Sequence, residues 1–390
     1  MAITDLRAPA RAYPRARALQ RRVILHVGPT NSGKTYNALQ DFEAAASAAY
    51  LAPLRLLAHE VFQRLQGKGI PCNMITGEQR HVSHNVRRTA MTIEMAQLEQ
   101  DVDVAVVDEI QMLANDQRGW AWSAAILGLP AKTLHLCGEA TAVPLIRRML
   151  RDTGDTIEVR EYERLTSLAI EPILPHLSHL QRGDAVIAFS RRRIFELKSQ
   201  IENATALRCA VVYGSLPPET RSLQAQHFND TGHPIDVLVA SDAVGMGLNL
   251  NIRRVVFDTT SKFNGQYQEE LSLSQMKQIA GRAGRYGTEW EHGTVTAFHK
   301  TDHAKLARAL KQIPPPLTHA GIQPTLDQLV VLAQHLPDDT LSTLLLKFAH
   351  LATIDGVYML CNIQALIDVC ALTEEYELGI ADRWQLTMCP

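Results

Sequence analysis

The chain has 390 residues, 46% of them hydrophobic and 21% charged, the balance of a globular protein with room for two or three domains. Its formal net charge of −2 excludes nucleic-acid attraction by the global field, so any such binding needs a local basic channel. No apolar run reaches the roughly 18 residues of a membrane span, and none of the six cysteines forms a C-x-x-C pair, so neither structural zinc nor a disulfide framework is signalled.

Residues 1–22 carry six arginines and one acid, Asp5. That composition resembles a mitochondrial presequence. The reading adopted is an N-terminal arm over 1–21 of a bacterial cytoplasmic protein, with the mitochondrial matrix as the alternative, because little room for a cleavable peptide precedes the strand at Val23. The pattern then predicts a helix from Thr35 to about Ala46, a strand at Ala48–Ala52 and a helix from Leu54 to about Leu65. Strands follow at Asn73–Thr76, Val102–Val107 and Thr133–Cys137. This alternation reads as a parallel α/β sheet, which binds ligands at its strand ends. A polar stretch near 152–165 reads as a join. Beyond it, strands at Ala185–Phe189, Cys209–Val212, Ile235–Ala240 and Val255–Phe257 alternate with helices at Arg193–Glu202, Pro218–Asn229 and Ser274–Ala283. After about residue 300 the strand signals fade, Pro314-Pro315-Pro316 breaks the chain, and helices are predicted at Leu326–Gln334, Leu341–Leu351 and Ile363–Ala371.

The chemistry begins at Gly28-Pro29-Thr30-Asn31-Ser32-Gly33-Lys34-Thr35, a G-x-x-x-x-G-K-T pattern after a strand and before a helix. Glycines let backbone N–H groups wrap a phosphate at the positive end of the next helix. Lys34 would reach the outer phosphates of a nucleotide and the Thr35 hydroxyl would bind Mg²⁺. Asp108-Glu109 follows the strand at Val102–Val107, where a second Mg²⁺ ligand (Asp108) and a base for the attacking water (Glu109) belong. Gln278-Ile279-Ala280-Gly281-Arg282-Ala283-Gly284-Arg285 is the second strong pattern. On a helix, Arg282 and Arg285 would project from one face and could stabilise charge on the γ-phosphate. The second α/β unit has no phosphate loop of its own, so the nucleotide is expected between the two.

In that order, G-P-T-N-S-G-K-T, D-E-I-Q and Q-I-A-G-R-A-G-R resemble a superfamily-two DExH-type helicase, and more finely the mitochondrial degradosome RNA helicases of the Suv-three type and their bacterial relatives. Segments 52–58, 75–78, 136–139, 213–221 and 241–249 resemble that family too, as do stretches between 321 and 362. The resemblance implies two tandem RecA-like parallel-sheet domains, 22–160 and 161–303, with a helical C-terminal region over 304–390 that is incomplete. It implies ATP and Mg²⁺ as cofactors, held by residues 28–35, with Thr35 and Asp108 on the metal and Gly247 beside the nucleotide. Catalytic roles fall to Lys34, Asp108, Glu109, Gln278, Arg282 and Arg285, and Gly138 and Glu139 would couple hydrolysis to domain movement. Pro53, Arg55, Thr76, Gly77 and Thr92 would grip RNA phosphates from domain one, and Ser190, Arg191, Tyr213, Gly214 and Asp242 from domain two. It implies translocation 3′→5′ on single-stranded RNA, unwinding of RNA duplexes, and an exoribonuclease partner. After Gly138-Glu139 the chain reads Ala140-Thr141 where many relatives have Pro-Ala.

Lys262-Phe263-Asn264-Gly265-Gln266-Tyr267 carries the Asn-Gly hairpin signal. Phe263 or Tyr267 would stack on a base at the duplex fork; an ordinary surface loop is the equal alternative. His81 and His84 lack the company of a metal site, and Trp120, Trp122, Met91 and Met95 read as core. A DNA translocase shares every motif, a P-loop kinase or GTP switch would not need 278–285, and a non-catalytic RNA scaffold would not need Lys34.

Overall fold

The computed structural model describes residues 2–263, 265 and 267–388. They form two compact units. The first comprises residues up to Val27, Thr35–Glu161 and the residues from Pro316 onward; the second comprises Gly28–Lys34 and Tyr162–Pro315.

The first unit opens with a short helix α1 (Pro14–Arg17) and is built on strands β1 (Arg22–Val27), β2 (Ala48–Ala52), β3 (Asn73–Ile75), β4 (Arg80–His81), β5 (Arg88–Thr92), β6 (Val102–Val107), β7 (Ala131–Gly138) and β8 (Thr156–Glu161). They lie in the order β4-β3-β5-β2-β6-β7-β1-β8, parallel except for β4 on β3. Alternate residues face opposite sides. Val23, Leu25, Leu51, Val107, Leu134 and Leu136 share one core with helices α4 (Gly119–Gly128) and α5 (Val143–Met149). Tyr50, Val106 and Cys137 face the other way, onto α2 (Lys34–Ala44) and α3 (Arg55–Gly67), through Leu39, Phe42, Phe62 and Leu65.

In the second unit, β9 (Leu168–Ile170), β10 (Asp184–Ile187), β11 (Cys209–Val212), β12 (Val237–Ala240), β13 (Arg254–Phe257) and β16 (Gly293–Ala297) form an all-parallel sheet, β11-β12-β10-β13-β16-β9. Helices α6 (Arg191–Ala204), α7 (Pro218–Asn229), α8 (Leu273–Ala280) and α9 (Lys300–Lys311) alternate with its strands, and β14 (Ser261–Phe263) pairs antiparallel with β15 (Gln268–Glu270).

From Pro316 onward the chain packs on the first unit, where Leu329, Leu332, Leu344, Leu345 and Phe348 of α10 (Leu326–His335) and α11 (Leu341–Leu351) join the α4 side of the core. This region is not purely helical. β17 (Ala320–Ile322) and β18 (Tyr358–Leu360) pair in parallel, and beyond α12 (Gln364–Thr373) lies a further helix α13 (Ile380–Thr387). Three-residue strands are too short to leave a periodic signal. The join near 152–165 likewise contains β8, whose alternating polar residues mark an edge strand: Glu158 pairs with Arg22 (2.6 Å) and Arg160 (2.7 Å). Met91 is buried in β5, whereas Met95 is 37% exposed in a 3-10 turn, so only the first is core.

Two of the N-terminal arginines, Arg17 and Arg21, are held in the fold. Leu6 and Ala16 are buried, Arg17 meets Asp155 at 3.4 Å, and the fully buried Arg21 grips Asp155 at 3.0 and 2.6 Å and the Leu129 carbonyl at 3.0 Å. Burial alone would raise the Asp155 carboxyl, but the hydrogen bonds and charge of Arg21, with help from Thr153 and Arg17, hold it below its ordinary value. A depressed carboxyl contributes stability above its unfolded pKa, about 3.9, and loses it as pH falls through the folded value. Asp155→Asn strands a buried guanidinium and is expected to cost about 3–5 kcal/mol in urea unfolding at neutral pH; a loss under about 1 kcal/mol, the level of an exposed pair, would contradict the buried geometry.

Candidate nucleotide and nucleic-acid sites

In the first unit, β6 delivers Asp108 and Glu109 to the end of the sheet. Asp108 is buried, and its Oδ1 accepts from the Thr35 hydroxyl (3.3 Å) and the Glu109 N–H (3.0 Å). Its Oδ2 accepts from the Tyr50 hydroxyl (3.1 Å) and its main-chain carbonyl from the Trp122 indole N–H (2.9 Å). Thr35 and Asp108 offer hard oxygen donors, the set Mg²⁺ takes when nucleotide phosphates supply the rest. The donor set therefore fits a metal that arrives with its nucleotide. No cluster of three or more His, Cys, Asp or Glu side chains able to hold a metal ion occurs among the described residues.

Glu109 adopts a left-handed backbone (φ 54°), a conformation costing a non-glycine residue on the order of 1–3 kcal/mol and concentrated at working sites. Its carboxylate accepts from the Gln111 amide, whose own oxygen accepts from the Glu139 N–H (3.2 Å). Gln111 thus ties the loop after β6 to the loop after β7. A side chain at Gly138 would collide with Ile110 and Gln111, so that approach needs glycine. Gln111 was legible only as the last letter of D-E-I-Q.

Tyr50 gave no sequence signal beyond a place in an apolar run. Burial first, and then the Asp108 charge, push its phenol far above the ordinary tyrosine range, so it remains a hydrogen-bond donor. Partners that orient a metal-binding carboxylate are worth about 10–100-fold in metal affinity. Tyr50→Phe is expected to raise the Mg²⁺ concentration needed for half-maximal binding of a fluorescent ATP analogue by about tenfold. An unchanged Mg²⁺ dependence would reduce the contact to satisfaction of a buried hydroxyl.

In the second unit, residues 28–34 form a loop in which Asn31 (φ 60°) and Gly33 (φ 76°) are left-handed, as in backbone nests that turn N–H groups toward an anion. The Ser32 hydroxyl is buried with no hydrogen-bond partner among the described residues, which fits a phosphate contact. Lys34 Nζ donates to the Pro29 carbonyl (3.1 Å). The Asn31 amide donates to the carbonyls of Gly281 (3.1 Å) and Gly284 (2.8 Å), so this loop meets the Gln278–Arg285 segment directly. Arg164 reinforces that contact: its guanidinium donates to the carbonyls of Thr30 (3.1 Å), Gly281 (2.8 Å), Ala283 and Gly284 (3.3 Å). Burial lowers its pKa to about 10, so it stays charged at neutral pH. A single arginine in a polar join carries no sequence signal.

The helix expected over 274–283 stops at Ala280. Arg282 and Arg285 therefore lie in a turn, not on one helix face. Gly284 is left-handed (φ 72°), and a side chain there would strike the Gly293 backbone. Close backbone approach, not helix, is what these glycines serve. Arg282 donates to the carbonyls of Gly245 (2.9 Å) and Leu248 (3.5 Å), bracing the loop that carries Gly247 (φ 78°). Gln278 lies on α8, and the Arg285 N–H donates to the Trp290 carbonyl (2.9 Å).

Each unit also assembles the expected nucleic-acid residues at the ends of three adjacent parallel strands. In the first, β3, β5 and β2 are neighbours, with Ala52 beside Thr92 and Ile75 beside Met91, which sets Pro53, Thr76, Gly77 and Thr92 side by side. Thr76 caps its turn by accepting from the Gln79 N–H (3.0 Å), and Arg55 pairs with Glu78. In the second, β11, β12 and β10 carry Tyr213 and Gly214, Asp242, and Ser190 and Arg191. Ser190 caps α6 (3.1 Å), and the Arg191 guanidinium lies 5.5 Å from the Tyr213 ring centre. Phe263 and Tyr267, 59% and 60% exposed, flank the turn of the β14–β15 hairpin, whose Asn264 and Gln266 lie outside the described residues. His81 stacks on Phe62, with ring centres 5.9 Å apart.

An acid pair after a central strand of one sheet, and a phosphate loop meeting a glycine-arginine turn in a second parallel-sheet unit, define the class of superfamily-two helicases. Solved structures support that fold: yeast Dbp5 bound to RNA and ADP BeF3 matches with a TM-score of 0.55 at 17% identity over 76% of this chain and 85% of that one. The Escherichia coli DEAH/RHA helicase HrpB matches with 0.57 at 15% identity over 96% of this chain and 58% of that one. The chain belongs to the Suv3 family of these helicases. Residues 9–162 match the DEXQ-box helicase domain of Suv3 and residues 168–287 the helicase conserved C-terminal domain. It is 45% identical to the mitochondrial DExH-box ATP-dependent RNA helicase DExH16 of Arabidopsis thaliana, over 99% of this chain and 68% of that protein. It is 44% identical to the mitochondrial ATP-dependent RNA helicase SUPV3L1 of Gallus gallus, over 100% of this chain and 50% of that protein. The chain thus spans about half the length of the chicken relative.

Proposed function

We propose that this protein is an ATP-dependent RNA helicase that moves 3′→5′ on single-stranded RNA and unwinds duplexes in RNA degradation or surveillance. The observation that carries the reading is Glu109, held in a strained left-handed backbone beside the Thr35–Asp108 pair and tied through Gln111 to Glu139. Lys34 and the nest at 28–33 bind the phosphates, Thr35 and Asp108 hold Mg²⁺, and Glu109 takes the proton of the attacking water. Mg²⁺ neutralises charge on the phosphates when bound. Gln278, Arg282 and Arg285 act on the same phosphates from the second domain, with Gly247 beside the nucleotide.

The two sets of strand-end residues are two phosphate grips without base contacts, which suits movement on any sequence. Cycles of closure and release between the domains, taken as 22–160 and 161–303, move one grip relative to the other. The Arabidopsis and chicken relatives are mitochondrial helicases, which supports a mitochondrial location over a bacterial cytoplasmic one. An exoribonuclease partner rests on the family resemblance.

Matched RNA and DNA duplexes with 3′ or 5′ overhangs test this reading. Unwinding confined to RNA with a 3′ overhang supports it; equal or better unwinding of DNA makes the chain a DNA translocase. The hairpin gives a narrower prediction. Base stacking is worth about 1–3 kcal/mol per base, so Phe263→Ala with Tyr267→Ala is expected to cut strand separation at least tenfold while RNA-stimulated ATP hydrolysis stays within twofold. Unwinding at the wild-type rate would return these aromatics to an ordinary surface loop.

A further inference from the structure

We infer that Arg118, acting through Trp122, couples the RNA grip of the first unit to its metal-binding carboxylate; the inference rests on the RNA-helicase reading above. Arg118 immediately precedes α4, ten residues after Asp108 in the chain. Its own backbone is fixed: the Asn115 side-chain oxygen accepts from the N–H groups of Gln117 (3.1 Å) and Arg118 (2.8 Å). Its guanidinium then makes contacts in three directions. Nε donates to the Glu94 carboxylate (2.8 Å), one terminal nitrogen donates to the Pro53 carbonyl (2.7 Å), and Cζ lies 5.5 Å from the centre of the Trp122 ring. Trp122 is fully buried, and its indole N–H donates to the main-chain carbonyl of Asp108 (2.9 Å).

Pro53 follows β2 and leads into Arg55; Glu94 follows β5 and Thr92. One cation therefore holds both strand-end loops of the proposed grip, and one rigid ring connects that cation to the backbone of the Mg²⁺ ligand. The indole is packed on all sides, so a shift of the Asp108 carbonyl has no slack to vanish into. The junction needs a planar guanidinium, with a face for the ring and an edge for two acceptors, which a lysine ammonium cannot reproduce. Glu94, Arg118 and Trp122 are positioning residues: none needs to touch RNA or nucleotide. Contiguity by itself does not establish coupling, but coupling has a thermodynamic signature. If a nucleotide changes RNA affinity by some factor, RNA changes nucleotide affinity by the same factor.

The test uses the full chain, a labelled single-stranded RNA and Mg²⁺ with a non-hydrolysable ATP analogue. RNA affinity is measured with and without the analogue, and analogue affinity with and without RNA. Wild type is expected to show equal factors in both directions, about 5–150-fold. Arg118→Lys and Glu94→Gln should each bring the factor toward one, and the double variant should do no more than Arg118→Lys alone, because residues in one network are non-additive. RNA affinity without the analogue should stay within about threefold of wild type, since no phosphate contact is removed. Trp122→Phe keeps an aromatic ring, removes the donor to Asp108 together with part of the buried indole, and should lower the factor as well, an independent variant of the same path.

A wild-type factor retained in Arg118→Lys overturns the inference. So does an RNA affinity lowered equally with and without the analogue, which would make Arg118 a phosphate contact. A wild-type factor of one overturns the coupling while leaving the helicase reading intact; failure of wild type to bind RNA overturns both.

Discussion

Arg285→Ala is expected to lower the RNA-saturated rate of ATP hydrolysis by about 10³–10⁵-fold, the worth of an arginine that meets γ-phosphate charge only as it transfers. Such an arginine contributes to the transition state more than to ground-state binding, so affinity for a non-hydrolysable analogue should change little. Arg282 also braces the carbonyls of Gly245 and Leu248, so its removal would mix lost charge with a disturbed loop. The measurement is a steady-state ATPase assay at saturating RNA, with analogue affinity taken in parallel. Full turnover in Arg285→Ala would remove the Gln278–Arg285 segment from the chemistry and favour a nucleotide switch or a kinase.

Glu109→Gln carries the other large effect. A positioned general base contributes about 10²–10⁴-fold, and the amide keeps the size of the side chain while giving up the basic oxygen. The new amide oxygen can still accept from the Gln111 amide, so that contact survives while the basic oxygen is lost. Hydrolysis should fall by about that factor, while Mg²⁺-dependent analogue binding, which the proposal assigns to Thr35 and Asp108, should remain. A rate within tenfold of wild type would show that Glu109 is not the base.

The chemistry at strand ends was the most legible part of the sequence. G-x-x-x-x-G-K-T, D-E-I-Q and Q-I-A-G-R-A-G-R each demand particular residue types at fixed spacing, and the buried, near-continuous apolar runs of β2, β6, β11 and β13 stood out from their surroundings. What stayed hidden had weaker local signals. β5 reads Arg-Thr-Ala-Met-Thr, a central strand with one two-residue apolar stretch, and its burial comes from its neighbours β3 and β2. β8 is an edge strand, and its polar alternation reads in the sequence as a join. The helix expected over 274–283 runs through Gly281, whereas the observed helix stops at Ala280 and Gly284 passes close to Gly293.

The supporting partners were harder still. Tyr50, Arg118 and Arg164 act through hydrogen bonds to residues far away in sequence, and no local pattern distinguishes them from ordinary core or loop positions. Trp122 was read as core. It is core, yet its indole N–H also holds the carbonyl of Asp108.

The most direct test of the central claim is one ATPase assay run without nucleic acid, with single-stranded RNA and with single-stranded DNA of the same sequence. An RNA-driven motor predicts slow hydrolysis alone, strong stimulation by RNA, weaker stimulation by DNA, and loss of all three rates in Lys34→Ala. Hydrolysis indifferent to RNA, or RNA binding with no hydrolysis at all, would contradict it.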